Sequence, residues 1–174
     1  MSDTNWILRA VAIMDTSYYL SSYWITLTDH NISKLLNTLY DQEIEVRKAA
    51  SAGISKIILL LKESEAEKII GELKARAIEG AKSEANVVEF HGSVLGLTAF
   101  VQAQSLGITK WTPDILMFLS KYSNNRGIVS DSVRICFSTF WKAHKTTWEY
   151  EKSKFTEEQQ ESLLEHINPY GYFA

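Results

Sequence analysis

Apolar residues recur at spacings of three and four through most of this chain, and that period is typical of α-helices rather than strands. One such face is formed by Val46, Ala50, Gly53, Ile57 and Leu61, and the next by Ala66, Ile69, Ile70, Leu73, Ala77 and Ala81. The 174 residues include only two prolines and eight glycines, so few positions break a helix. The sequence therefore predicts an all-α fold and offers no convincing strand.

Polar residues mark where several of these helices begin. The runs 64–67 (Ser-Glu-Ala-Glu) and 156–159 (Thr-Glu-Glu-Gln) have the spacing of a capping box. Thr112 followed by Pro113 predicts another helix start, with Thr112 as the N-cap. Two further helices are expected in the first forty residues, over 18–27 and 32–40.

The helices also show a repeat. Val46-Arg47 stands at the head of one helix, and Val133-Arg134 recurs 87 residues later, which is two units of about 43 residues. This period is typical of HEAT-like (ARM-like) helical pairs, which stack into an α-solenoid. We expect such a repeat region over residues 1–167. An irregular helical bundle with a coincidental Val-Arg pair is the alternative.

Charge and hydropathy argue against two classes of partner. The 18 basic and 21 acidic residues give a formal charge of −3, so no basic excess favours direct nucleic-acid binding. Residues 90–109 carry no charged side chain and are long enough to span a bilayer. They nevertheless include seven polar side chains, which favours a helix buried within protein over a membrane partner.

Few residues suggest catalysis. The four histidines are scattered and lack metal-binding spacing. Cys136 lies between Ile135 and Phe137, which favours a buried thiol, although a Cys–His pair formed in space is an alternative. His91 is interpreted as a hydrogen-bonded packing residue. We predict a non-enzymatic protein with no catalytic, cofactor-binding or metal-binding residue.

The C-terminus is unusual in its aromatic content. Residues 168–174 read Asn-Pro-Tyr-Gly-Tyr-Phe-Ala, whereas chain ends are usually polar. Pro169 ends the preceding helix, and a terminal carboxylate follows the aromatic residues. We expect a flexible tail that inserts into a pocket on another protein. Folding of these aromatic side chains back onto the chain's own helices is the alternative.

Several ordered blocks carry a resemblance to a known family. They are 41–50, 91–97, 111–113 with 116–120, and the W-x-x-x-K-x-x-F-T-x-x-Q pattern formed by Trp148, Lys152, Phe155, Thr156 and Gln159. From about Tyr18 onward, the chain resembles the C-terminal region of the large HEAT-repeat, ATP-independent proteasome activators. These comprise proteasome activator complex subunit four and its fungal bleomycin-resistance homologue.

The resemblance implies docking on the α-ring of the proteasome core particle, with gate opening that needs no ATP hydrolysis. The family tail reads Tyr-Tyr-Ala, so Tyr172 takes the hydrophobic position, Phe173 the tyrosine position, and Ala174 the terminal carboxylate. Phe173 keeps the aromatic ring but lacks the tyrosine hydroxyl. The resemblance therefore supports docking more strongly than gate opening.

The resemblance also implies a wider biological setting. Family members act in the degradation of acetylated histones during DNA repair, which implies a nuclear and cytoplasmic location. They are much longer than this chain, which would form only the last few repeats. A second hypothesis, from a different class, is a HEAT-type scaffold that does not act on the proteasome gate.

Overall fold

All regular structure described in this protein is helical. The computed structural model describes residues 5–22, 28–103, 107–124 and 127–167, and no strand occurs in these ranges. The helices are α1 (Trp6–Ser22), α2 (Asp29–Asn37), α3 (Ile44–Ile57), α4 (Glu63–Gly80), α5 (Val87–Gln102), α6 (Thr112–Ser120), α7 (Ile128–His144), α8 (Trp148–Glu151) and α9 (Glu157–Ile167). The predicted all-α fold is confirmed, and none of the described helices is long and apolar enough to cross a membrane.

The chain divides into two compact units, residues 1–103 and 104–174. In the first unit, α3 packs against both α1 and α5. Each of α3 and α5 is also contacted by the helix that precedes it in the chain. Helix α2 packs against α3, and α4 packs against α5. These helical pairs, joined by short connections, are the arrangement expected of a helical repeat.

Helix α5 is the centre of the first unit. Every residue from His91 to Val101 is buried, as expected for a helix that is apolar on more than one side. Gly92 allows close packing, because a Cβ atom there would lie 2.9 Å from the carbonyl carbon of Leu39 and closer still to its oxygen. At Gly96 a Cβ atom would lie 2.8 Å from the side chain of Leu73. Glycine at these two positions therefore lets α5 pack closely against its neighbours.

The second unit has its own core. Helix α9 packs against α6 and α7, and α6 also contacts α7. Its most buried side chains come from all three helices, and they are Ile115, Leu116, Leu119, Val133, Cys136, Phe137 and Leu163.

The predicted helix starts have mixed outcomes. The capping box at Thr156 and Gln159 is present in both directions. The prediction for Ser64 is wrong, because α4 begins at Glu63, with Lys62 as N-cap. The Glu65 carboxylate accepts the Lys62 backbone N–H at 3.0 Å, and this bond sets the helix start two residues earlier than predicted.

Two other helix starts are shifted. Thr112 is the first residue of α6 rather than its N-cap, which is Trp111. The helix predicted over 18–27 is α1, which begins at Trp6, whereas residues 23–27 lie outside the described ranges. Because α1 is apolar on several sides, it lacks the single stripe by which the other helices were found.

The Val-Arg repeat is only half equivalent in three dimensions. Val46 lies in α3 and Val133 in α7, and both side chains are fully buried. Arg47 is buried with 2% of its surface exposed, whereas Arg134 is exposed and pairs with Asp131. The repeat therefore preserves the packing position of the valine but not the environment of the arginine.

Candidate partner-binding site at the C-terminus

The predicted docking residues Tyr172, Phe173 and Ala174, with the rest of 168–174, lie outside the described residues. The structure does describe the helix that leads to them, because α9 ends at Ile167. The geometry of the second unit therefore defines the base from which this segment leaves.

An aromatic cluster underlies the turn between α8 and α9. The ring of Trp148 lies 5.3 Å from that of Phe155 and 5.6 Å from that of Trp141, between centroids. Phe155 also meets Phe140 edge-on at 6.2 Å. Trp148 and Phe155 are both buried, so these two positions of the W-x-x-x-K-x-x-F-T-x-x-Q pattern hold the turn in place.

The other residues of that pattern fix where α9 begins. The backbone N–H of Thr156 donates to Gln159 Oε1 at 3.0 Å, and the N–H of Gln159 donates to Thr156 Oγ1 at 3.2 Å. The side-chain amide of Gln160 donates to the carbonyl oxygens of Lys152 and Phe155 at 3.0 and 3.1 Å. The pattern is thus a structural corner that sets the direction of the last helix.

The far end of α9 is held against α7. Leu163 is completely buried, and the imidazole of His166 stacks on Phe137 with ring centroids 5.1 Å apart. Nδ1 of His166 lies 2.7 Å from the carbonyl oxygen of Ser162. The helix is therefore anchored to the core as far as His166, two residues before residue 168.

A partly buried polar contact links α7 and α8 in the same unit. The Glu151 carboxylate lies 2.9 Å from Nδ1 of His144 and accepts the Thr147 hydroxyl at 2.7 Å. Burial raises the pKa of Glu151, but the hydrogen bonds from Thr147 and His144 outweigh it, so the pKa lies below its ordinary value.

The first unit contains a buried polar network that sequence reasoning missed. Nη1 of Arg47 donates to the carbonyl oxygens of Asp41 and Gln42 at 2.7 and 2.9 Å. Its Nε donates to Nδ1 of His91 at 3.1 Å, which joins α3 to α5. The Asp41 carboxylate in turn accepts two bonds from Arg9 on α1, at 2.8 and 2.9 Å. Asp41 lies close to Arg47 in the sequence, but His91 lies 44 residues away, so local spacing gave no sign of this contact.

The protonation state of His91 follows from this geometry. Burial and then the positive charges of Arg47 and Lys48 lower its pKa from 6.5 to about 4. The imidazole is neutral at pH 7 and accepts the Arg47 N–H through Nδ1. His91 is a hydrogen-bonded packing residue, as predicted.

The candidate nucleophile is also a packing residue. Cys136 is buried among the apolar side chains of α7, and burial raises the pKa of its thiol to about 12. The thiol is therefore protonated at neutral pH. Across the described ranges, no group of three or more His, Cys, Asp or Glu side chains has the arrangement needed to hold a metal ion.

Stacked helical pairs, a polar network used for packing and an anchored last helix define a helical-repeat protein. The sequence profile described as "Proteasome activator complex subunit 4-like, C-terminal" matches residues 87–174, which is half of the chain. The chain belongs to this family of proteasome activators. The resemblance found in the sequence is thereby confirmed.

Individual relatives agree with the family match. A protein of Arabidopsis thaliana named proteasome activator subunit 4 is 26% identical over 187 residues, covering 99% of this chain and 10% of its own length. Proteasome activator complex subunit 4A of Danio rerio is 27% identical, and subunit 4 of Homo sapiens 26% identical, each over 154 residues. Each of these two alignments covers 80% of this chain and 8% of the relative. The chain thus spans a tenth or less of the length of the curated relatives it matches.

Proposed function

We propose that this chain is the proteasome-docking end of an ATP-independent activator. Its C-terminal tail would insert into a pocket on the α-ring of the core particle. The observation that carries the proposal is that the match to the activators' C-terminal region extends to residue 174 and so includes Tyr172, Phe173 and Ala174.

Each tail residue has a chemical role in the proposal. Tyr172 supplies an apolar ring, Phe173 fills the position that a tyrosine holds in the family, and Ala174 carries the terminal carboxylate. A carboxylate that pairs with a basic group in a partly dehydrated pocket forms a short, charge-assisted hydrogen bond. Removing Ala174 would shift this carboxylate by one residue and misalign both rings.

The anchoring of α9 supports this role. A short tail that leaves a fixed helix end loses less conformational freedom on binding than one attached to a mobile segment. The packing of Leu163 and the stacking of His166 on Phe137 supply such a fixed end. The W-x-x-x-K-x-x-F-T-x-x-Q corner acts one step earlier, because it sets the direction of α9.

Gate opening is the finer part of the proposal. The tail shifts the α-ring toward its open state only by as much as it binds that state more tightly than the closed one. Phe173 lacks a hydroxyl, and a pocket group left unpaired by that loss costs about 1–3 kcal/mol. We therefore expect this chain to dock and to open the gate weakly.

We further propose that this chain acts as part of a longer activator, as its family members do. Such an activator would promote the degradation of acetylated histones in the nucleus and cytoplasm. No described residue is assigned to histone recognition. The α-ring remains the direct partner of the tail.

The test is co-sedimentation with purified core particle, with hydrolysis of a fluorogenic peptide measured in the same samples. Three proteins are compared: the unchanged chain, a version lacking Ala174, and Phe173→Tyr. Tyr150→Ala is the matched control, because Tyr150 is an exposed aromatic residue of the described helices.

We expect the unchanged chain and Tyr150→Ala to bind equally, the shortened chain to lose binding, and Phe173→Tyr to hydrolyse more peptide. Binding that survives removal of Ala174 would contradict tail docking and favour a scaffold that binds through a helical face. Equal peptide hydrolysis with the unchanged chain and with Phe173→Tyr would contradict the role given to the hydroxyl.

A further inference from the structure

Ser64 does not have the structural role that its sequence pattern predicts. The run 64–67 (Ser-Glu-Ala-Glu) has the spacing of a capping box, but α4 begins at Glu63, with Lys62 as N-cap. The Ser64 side chain is exposed, and among the described residues its hydroxyl has no hydrogen-bond partner. The hydroxyl is therefore accessible at the protein surface.

Acidic residues follow this hydroxyl in a pattern that suits a protein kinase. Glu65 stands directly after Ser64 and Glu67 stands three residues after it. No other serine or threonine of the sequence has an acidic residue at both of these positions. Kinases select their substrates partly by the charges around the acceptor residue, and an acid-directed kinase pairs such carboxylates with basic side chains. Glu67 is exposed, so its carboxylate can be reached in the folded chain.

The chain contains a near copy of this run that lacks one acidic residue. Residues 83–86 read Ser-Glu-Ala-Asn, and all four are exposed. The Ser83 hydroxyl accepts the backbone N–H of Ala85 at 3.3 Å and so caps the short helical turn that follows. Ser83 therefore has a structural use that Ser64 lacks, and the two runs differ in the acid at the third following position.

The first turn of α4 can open with little loss of packing. A kinase has to surround the acceptor hydroxyl, so this turn must unwind locally while the phosphoryl group is transferred. Helix ends are where such fraying is most common. Ala66 is the one buried residue of 63–67, and its single methyl group means that opening exposes little apolar surface.

We propose that Ser64 is a phosphorylation site for an acid-directed serine kinase that uses ATP and Mg²⁺. Oγ of Ser64 attacks the γ-phosphorus of ATP, and the bond from that phosphorus to the bridging oxygen breaks. ADP leaves with the bonding electron pair, and the hydroxyl proton passes to the catalytic carboxylate of the kinase. The site lies in the first unit and is separate from the tail proposed to dock on the proteasome.

The start of α4 can accommodate the phosphate. A phosphoserine carries a charge of about −1.5 to −2 at pH 7, and Ser64 is the second residue of α4, where the helix dipole favours an anion. Lys68 is exposed and lies four residues further on, at the spacing of a helical ion pair. Glu67 repels the phosphate from the neighbouring position, so attraction and repulsion offset each other. Phosphorylation therefore adds a dianion to the surface while α4 stays helical.

The test incubates the full 174-residue chain with ATP, Mg²⁺ and a purified serine kinase that requires an acid at the third position after the acceptor. Mass spectrometry of proteolytic fragments measures the rate of phosphorylation at each serine. Glu67→Asn converts the run at Ser64 into the sequence found at Ser83. Glu72→Asn is the matched control, because Glu72 is another exposed acid of α4 and lies outside the run. A peptide of residues 58–72 verifies that the kinase is active.

We expect phosphorylation of the unchanged chain at Ser64 rather than at Ser83, and none at this position in Ser64→Ala. Glu67→Asn should slow the reaction at Ser64 at least about tenfold through the lost charged contact, whereas Glu72→Asn should leave the rate unchanged. Equal rates for Glu67→Asn and the unchanged chain would overturn the proposal. So would phosphorylation of the peptide without phosphorylation of the folded chain, since Ser64 would then be inaccessible to the kinase.

A second measurement examines how the fold accommodates the phosphate. Thermal unfolding followed by circular dichroism is compared between the phosphorylated chain and the unmodified chain. We expect the two Tm values to differ by less than about 4 °C, because the helix dipole and Lys68 offset the repulsion by Glu67. A larger fall in Tm, with loss of helical signal, would overturn the placement of the phosphate on an intact α4.

Discussion

At the scale of single residues, Gly92 controls how closely α5 approaches the turn after α2. A Cβ atom at this position would overlap the Leu39 carbonyl oxygen, which is backbone and cannot rotate away. Gly92→Ala is expected to lower the free energy of unfolding by about 1–3 kcal/mol, since the two segments must separate. Urea denaturation followed by circular dichroism measures the effect.

Gly71 supplies the matched control. It lies inside α4, and no atom would lie within 4 Å of an added Cβ. Gly71→Ala is expected to stabilise the protein by about 0.5–1 kcal/mol, because alanine favours the helix. Equal effects of the two substitutions would contradict the close packing of α5.

The two Val-Arg pairs provide a second comparison. Arg47→Lys is expected to destabilise the protein by about 3 kcal/mol, because a lysine cannot serve two carbonyl oxygens and the His91 nitrogen together. Arg134→Lys is expected to change stability by less than about 0.5 kcal/mol, because Arg134 is exposed and its ion pair is a surface one. Urea denaturation of both variants tests this. Similar losses of unfolding free energy in the two variants would contradict the structural role given to Arg47.

His91 gives the protein a defined pH dependence. Its pKa is about 4 in the folded protein against an ordinary 6.5, so the unfolded chain takes up the proton first as the pH falls. The free energy of unfolding should drop by roughly 2 kcal/mol between pH 6.5 and 4.5 through this group.

His91→Gln isolates that contribution, because the glutamine oxygen can still accept the Arg47 N–H while no longer titrating. The difference in unfolding free energy between the unchanged chain and His91→Gln should shrink as the pH falls from 6.5 to 4.5. A constant difference over this range would contradict a neutral, buried His91.

At the scale of secondary-structure elements, two residues with the same sequence signal differ in whether they cap a helix. Thr156 and Ser64 both precede an acidic or amide residue at capping-box spacing, but only Thr156 caps a helix. Thr156→Ala should cost about 1 kcal/mol, and Ser64→Ala should leave stability within about 0.5 kcal/mol. Thermal unfolding followed by circular dichroism measures both, and an equal loss for Ser64→Ala would contradict the start of α4 at Glu63.

Helix existence could be predicted from the sequence far better than helix ends. The stripes in α3, α4 and α5 follow from apolar spacing, which depends on the chain itself. The start of α4 depends on a bond between Glu65 and the Lys62 backbone that competes with an equally plausible cap at Ser64. The first helix was found only in part, since α1 buries apolar residues on one side and exposes them on another.

The polar core was beyond the reach of sequence reasoning for a different reason. Histidine at position 91 and arginine at position 47 are each ordinary within their own helices. Their bond exists only because α3 and α5 pack side by side. Contacts between residues distant in sequence depend on tertiary structure, which a local pattern does not encode.

At the scale of the whole molecule, the described helices fix the chain as far as the end of α9, and the proposed partner rests on the family match. The family pattern that made the sequence recognisable forms the corner before α9. The residues proposed to meet the proteasome, Tyr172, Phe173 and Ala174, belong to the same matched region. The helical scaffold was therefore predictable from local patterns, whereas the proposed docking role rests on the family resemblance.

The most direct test of this account is the affinity of the unchanged chain for the proteasome core particle, compared with that of the chain lacking Ala174. We predict saturable binding that falls at least about tenfold when this one residue is removed, because the carboxylate then misses its basic partner. Equal affinity of the two proteins would contradict the account, since docking would then not depend on the tail.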